Sequence, residues 1–264
     1  MAGDLTDALR ALIQPHTGKI TAVNPAGGND SDVTALIESE NGSFFLKAMH
    51  NRPGGRRNSI TRERLINPYV QPISPPLRWH TENDDWIALG FQAITGRRAD
   101  LRPGSPDLPV VVALLNRIGA LPLPDVAQDW EEDRWDRFCT DEAEADLLKG
   151  DALLYTDVHE SNLIIQGNSA WAVDWSWPTR GAAVIDPSQF AIQLIVAGHS
   201  AASAEHWAAR CTAWEKADPH AIDAFAAAAL RMAQARSERF PDAKWLGTIV
   251  AAAQAWADHR GVPV

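Results

Sequence analysis

Between Lys19 and Gln92 the apolar positions fall in short runs separated by turn-forming residues. "KITAVN", "DVTALIES", "SFFLKAM", "LRWHT" and "WIALGFQ" read as strands, and "PAGGNDSD" and "ENGS" supply turns between them. This pattern predicts a small, mostly antiparallel sheet. Within it, "NSITRERLINPYV" sets Ile60, Leu65 and Ile66 near helical spacing behind an Asn58/Ser59 cap, and Pro68 ends or kinks the segment. "ITGRRADLRPGSPDLP", rich in Gly, Pro and charge, reads as a connector. The pattern then turns helical at "PVVVALLNRIGAL" and through most of 185–260. There "AIDAFAAAALRMAQARSERF" and "WLGTIVAAAQAWADHR" predict Ala-rich helices, with Pro219 and Pro241 at helix starts. The fold class predicted is α+β, with a sheet-based region over 1–95 and a mostly helical one over 96–264.

Composition supports a globular chain able to bury a sizeable core: 264 residues, 45% hydrophobic, 22% charged, with 11 tryptophans. No run of about eighteen apolar residues offers a membrane span. The start "MAGDLTDALRALIQ" carries early acids where a leader would carry a basic and then an apolar stretch, so a cytoplasmic protein with no membrane partner is expected. Cys139 and Cys211 have no metal-type spacing and read as core residues. Charge is unevenly divided: residues 1–95 carry 9 Lys/Arg against 10 Asp/Glu, and the remainder 15 against 24. The acid excess argues against nucleic acid as a partner. It suits either a cationic ligand or plain solubility.

The unusual stretch is "LLYTDVHESNLII". Two strand-like runs enclose Asp157, His159, Glu160 and Asn162, which an ordinary hairpin has little reason to collect. Phosphoryl transfer needs a carboxylate to receive the acceptor's proton, and hard oxygen ligands to hold magnesium against the phosphates. Asp157 and Asn162 have the D-x-x-x-x-N spacing of a kinase catalytic loop. A strand, a Gly167/Asn168 turn and the run "AWAVDW" then return Asp174 toward Asn162.

"YTDVHESNLII" followed by "AVDWSW" resembles the aminoglycoside phosphotransferase and choline kinase family, whose signature reads roughly H-G-D-x-H-x-x-N, then a strand pair and D-W. The resemblance implies a bilobal protein-kinase-like fold, with a nucleotide-binding lobe and hinge over 1–95. The lobe over 96–264 would carry the catalytic loop and acceptor site. It makes Asp157 the catalytic base, Asn162 and Asp174 the magnesium ligands, and His159 a support for the loop. ATP is the implied donor, with GTP left open. The acceptor is an aminoglycoside-like or other hydroxylated natural product, cationic or neutral, a chemistry tied to antibiotic resistance. The acceptor pocket falls to 125–149 and 200–260, where Asp129, Glu131, Glu132 and Asp133 would suit a cation. Tyr155 and Thr156 stand where the family usually has His-Gly. Asp186-Pro187 matches its Gly-Asp-Pro, and Phe190 replaces an expected aspartate.

Under this resemblance Gly27 and Gly28 fold over phosphates, or else make an ordinary hairpin turn. Lys47, in the apolar run "FFLKAM", points inward to meet an anion and Glu63, or else faces solvent. "WIALGFQAITGRRADL" is the edge strand and hinge, with Phe91, Gln92, Ala93 and Ile94 holding the base. Trp171, Trp175 and Trp177 mostly follow strand alternation, which suits core packing over an aromatic platform for stacking a sugar. Arg180 either touches phosphate or pairs with a nearby acid such as Asp186. A nucleotide-binding pseudokinase and a non-catalytic interaction protein remain as alternatives.

Overall fold

The computed structural model describes residues 5–27 and 31–263. The chain forms two compact units: Met1–Thr95 together with Trp175–Trp177, and Gly96–Asp174 together with Pro178–Val264.

In the first unit, helix α1 (Asp7–Thr17) is capped by Thr6, whose hydroxyl accepts from the Leu9 amide at 3.2 Å. Strands β1 (Ile20–Pro25), β2 (Val33–Ser39), β3 (Gly42–His50), β4 (Leu77–Glu82) and β5 (Trp86–Gln92) form one antiparallel sheet in the order β1-β2-β3-β5-β4. The strand "WIALGFQ" is therefore interior, and β1 and β4 are the edges, contrary to the expectation above. Residues 86–91 are all buried, as a strand flanked on both sides should be.

Helix α2 (Gly55–Ile66) starts before the expected Asn58/Ser59 cap, at an N-cap of Gly54. Its first turn, Gly55, Arg56 and Arg57, carries no apolar residue to announce it. A 3-10 turn at Asn67–Tyr69 follows at Pro68. There the Asn67 amide donates to Pro75 O (2.9 Å) and accepts from Leu77 N (2.7 Å), fixing the approach to β4.

Alternation along β3 sorts the sheet's two faces. Phe44, Leu46 and Ala48 pack with Leu9 and Ile13 of α1, and Phe45 and Met49 pack with Ile60 of α2. Lys47 shares the parity of Phe45 and Met49 and so belongs to the α2 face. Slipping the register by one residue would move it to the α1 face. Gly90 is needed by packing: a Cβ there would lie 2.1 Å from Trp79 Cε2, so only glycine lets the indole rest against β5.

In the second unit, β6 (Arg97–Arg98) pairs with β8 (Leu163–Gln166), which pairs with β9 (Ser169–Ala172). The supposed connector thus contributes a strand. Its Arg97 reaches Asp107 at 2.7 Å, just ahead of α3 (Leu108–Gly119). An irregular stretch containing α4 (Glu142–Asp146) leads to β7 (Ala152–Leu154), which pairs with β10 (Thr179–Gly181). The helical remainder comprises α5 (Ile185–Val196), α6 (Ala201–Ala208), α7 (Thr212–Glu215), α8 (Pro219–Arg239) and α9 (Trp245–Arg260).

Pro219 opens α8 behind an Asp218 cap, but Pro241 lies in the turn before α9 and starts no helix. Helix α8 is buried nearly all round through Ala221, Ile222 and Ala224–Leu230, the mark of a central helix. Arg260 ties α9 to Glu205 (2.6 Å) and Asp223 (2.5 Å). Cys211 is buried and Cys139 only half-buried; burial pushes their thiols up to about 12 and about 11. Among the described residues no helix is long and apolar enough to cross a membrane.

Candidate active site

The first unit holds a buried ion pair on regular elements. Lys47 Nζ lies 2.9 Å from both carboxylate oxygens of Glu63, and the two side chains are 8% and 4% exposed. The strand puts Lys47 on the α2 face, and α2 turns Glu63 toward it. Burying two charges costs several kcal/mol per ion that the pairing only partly returns, so such a pair is weak evidence for stability. It is better understood as a means of holding an ammonium group at a fixed place. Ser176, buried in the same unit, brings its Oγ to 3.4 Å from Glu63 Oε2. Nothing in the local sequence near Glu63 signals this third member.

The turn after β1 carries Gly27, exposed and with open space where a Cβ would sit. Gly28 lies outside the described residues. Asp32, just ahead of β2, accepts from His50 N and from Arg56, each at 2.8 Å. Of the four proposed base-binding residues, Phe91 is committed to the apolar core. The amides of Gln92 and Ala93 donate to Pro76 O (2.8 Å) and Ser43 O (3.3 Å), so neither is a donor to a base. Ile94 is half-buried at the end of the unit.

The second unit gathers Asp157, His159, Asn162 and Asp174 on irregular backbone around β7, β8 and β9. The Asn162 amide donates to Asp157 Oδ2 at 2.7 Å. His159 Nε2 lies 3.4 Å from Asp157 Oδ1, so both carboxylate oxygens are held while the side chain stays 51% exposed. Burial of His159 opposes its charge, but the hydrogen bond and charge of Asp157, with Asp174 and Glu160 adding, leave its pKa raised above the usual value.

Two non-glycine residues here adopt left-handed backbone, Thr156 at φ 61° and Asp174 at φ 63°. Thr156 stands where the resemblance led us to expect glycine, and a left-handed position is one that glycine takes without the cost a β-branched residue meets. The loop is held from below by Asp186 of α5, whose oxygens accept from Tyr155 N (2.9 Å) and Thr156 N (2.8 Å). Complete burial pushes the Asp186 pKa up to about 6 despite those two donors, which act to lower it.

A magnesium ion is usually held by one or two protein oxygens, with phosphate and water completing its shell. Asn162 and Asp174 make a donor set of that size and hardness. The Asn162 nitrogen is engaged by Asp157, so the side-chain oxygen is the atom it could offer a cation. Val173 N donates to Asn162 O at 2.9 Å, so the segments carrying the two donors are bonded neighbours. No group of three or more His, Cys, Asp or Glu is gathered among the described residues. The donor chemistry therefore fits magnesium shared with a phosphate.

Other residues singled out in the sequence have different places. Glu132 is 1% exposed and bonds Arg134 and Thr179 Oγ1 (2.7 Å), so it braces the irregular stretch and is not a surface acid. Arg180 pairs with Glu131 at 2.8 Å, not with Asp186. Strand β9 ends at Ala172, so the tryptophan alternation does not continue as expected. Trp175 is buried, Trp171 is half-buried, and Trp177 is 37% exposed with Arg62 over its ring at 5.7 Å. Phe190 is wholly buried in α5.

No known family profile matches the chain, and no curated protein matches it in sequence. Solved structures do match it in fold. Choline kinase LicA from Streptococcus pneumoniae aligns over 96% of this chain and 94% of its own, with a TM-score of 0.64 at 11% identity. Aminoglycoside phosphotransferase APH(4)-Ia aligns over 92% and 96%, with a TM-score of 0.60 at 10% identity. The aminoglycoside phosphotransferase from Alicyclobacillus acidocaldarius aligns over 99% and 97%, at 0.60 and 13%. A thermostable mutant of APH(4)-Ia, matching at a TM-score of 0.60, forms a ternary complex with AMP-PNP and hygromycin B. The protein has the protein-kinase-like fold of these structures.

Proposed function

We propose that this protein is a small-molecule kinase that moves the γ-phosphoryl group of ATP to a hydroxyl of an aminoglycoside-like or other hydroxylated natural product. The observation that carries the reading is the Asp157 carboxylate. It is half-exposed, with one oxygen on the Asn162 amide and the other near His159, as a base that must meet an incoming hydroxyl requires. In the reaction the acceptor oxygen attacks the γ-phosphorus, the bond to the β-phosphate oxygen breaks, and ADP leaves. Asp157 takes the acceptor's proton. Lys47, fixed by Glu63, supplies positive charge to the phosphates. Asn162 and Asp174 would hold magnesium, which when bound neutralises charge on the phosphate oxygens.

The acid excess of residues 96–264, 24 Asp/Glu against 15 Lys/Arg, favours a cationic acceptor. Glu131, Asp129 and Asp133 remain the relevant acids, since Glu132 is enclosed. The test is incubation with Mg-ATP and a panel of aminoglycosides, aminocyclitols, choline-like amines and neutral polyols, read as phosphate mass gain. The expected result is product with a cationic hydroxylated compound, and a kcat/KM that falls as salt rises. No product from any acceptor, with no thermal stabilisation by Mg-ATP, would overturn the reading.

A further inference from the structure

Tyr155 departs from the family pattern, and its surroundings assign it work. The side chain is fully buried. Its main-chain N–H is held by Asp186 at 2.9 Å, which fixes where the ring starts. At the other end the phenol Oη donates to Val173 O and lies 3.5 Å from Asn162 O. Val173 immediately precedes Asp174, and Asn162 O already accepts from Val173 N at 2.9 Å. This is where the β8-β9 ladder stops, because β8 begins at Leu163 and β9 ends at Ala172. Beyond it the backbone turns left-handed at Asp174. The sheet offers the carbonyl of half-buried Val173 no further strand partner. The phenol supplies a donor one peptide before the turn.

We infer that Tyr155 is a positioning residue, whose hydroxyl fixes the backbone at Val173 and so holds the Asp174 carboxylate at a set distance from the Asn162 side chain. It touches no reactant. The inference rests on Asn162 and Asp174 being magnesium ligands, as proposed above, and concerns how their spacing is maintained. It also gives the tyrosine a role that phenylalanine, with the same ring and no hydroxyl, cannot fill.

The experiment uses the full chain and Tyr155→Phe. Backbone hydrogen exchange is read at Asp174 and Trp175 without metal, and Mn2+ affinity in the presence of ADP is read by electron paramagnetic resonance. Phe225→Leu, in the core of α8, serves as a variant weakened elsewhere. Tyr155→Phe is expected to speed exchange at those amides and weaken Mn2+ binding about 10-fold, the scale for lost support behind a ligand, whereas Phe225→Leu leaves both unchanged. Wild-type exchange and wild-type Mn2+ affinity in a folded Tyr155→Phe would overturn the inference. Asp174→Ala, run alongside, addresses the ligand assignment separately. It should lose Mn2+ binding, and wild-type affinity there would overturn the assignment while leaving the exchange result to judge Tyr155.

Discussion

The Lys47–Glu63 pair and the Asp157 loop are built on opposite plans. The pair sits on a strand and a helix, is almost wholly enclosed, and has unstrained backbone on both sides. The loop leaves its carboxylate half-exposed on irregular backbone, where left-handed Thr156 is held by buried Asp186 and left-handed Asp174 follows a Val173 carbonyl that accepts from buried Tyr155. A fixed charge can be delivered by regular elements, because it need only be held. A base must also be reached, and keeping a carboxylate both accessible and oriented takes backbone that regular hydrogen bonding does not supply. Strain then has to be offset by buried partners.

That contrast predicts different consequences of mutation, the largest first. Lys47→Ala leaves Glu63 charged and enclosed, so it should cost about 3–5 kcal/mol of stability in urea unfolding, together with weaker ATP binding. A change below about 0.5 kcal/mol would show that the pair is not the enclosed unit described.

Asp186 gives the loop a pH signature. Its folded pKa of about 6 stands above its unfolded value of 3.8, so between these the native protein keeps a proton the unfolded chain has lost. The stability it contributes is fully present below about pH 4 and lost as pH rises through about 6. Unfolding free energies of wild type minus Asp186→Asn should therefore fall across that window. A difference that is flat with pH would contradict the burial argument.

Thr156→Gly probes the strain with the smallest expected effect. Relief of a left-handed threonine, about 1–2 kcal/mol, is partly cancelled by glycine's greater unfolded freedom, about 0.5–1 kcal/mol. A net gain of about 0.5–1 kcal/mol is expected, read as a higher denaturant midpoint at constant slope. Destabilisation would mean that Thr156 contributes through its side chain more than its backbone costs.

The same contrast explains what could be read in the sequence. The strands were legible because alternation along β3 is local, and Lys47 stood out as a cation inside an apolar run. Asp157 and Asn162 were legible through spacing within one loop. Strand order was not, because β5 lies between β3 and β4 through pairings that no local pattern encodes. The start of α2 was hidden by a polar first turn, and Pro241 fits a turn as well as a helix start. The supports of the loop were least visible. The Asp186 carboxylate reaches Tyr155 from 31 residues away, and the Tyr155 hydroxyl reaches Val173 across 18. Ser176 meets Glu63 across 113. Glu132 looked like one more surface acid because its enclosure by Arg134 and Thr179 is a tertiary event.

The central claim is that Asp157 accepts the acceptor's proton while Lys47 serves the phosphates, so the direct measurement is single-turnover phosphoryl transfer by Asp157→Asn with a competent acceptor. The substitution keeps the side chain's shape and removes its basicity. Transfer should slow by about two to four orders of magnitude, with ATP affinity and melting temperature at wild-type values. Wild-type transfer by Asp157→Asn would contradict the account.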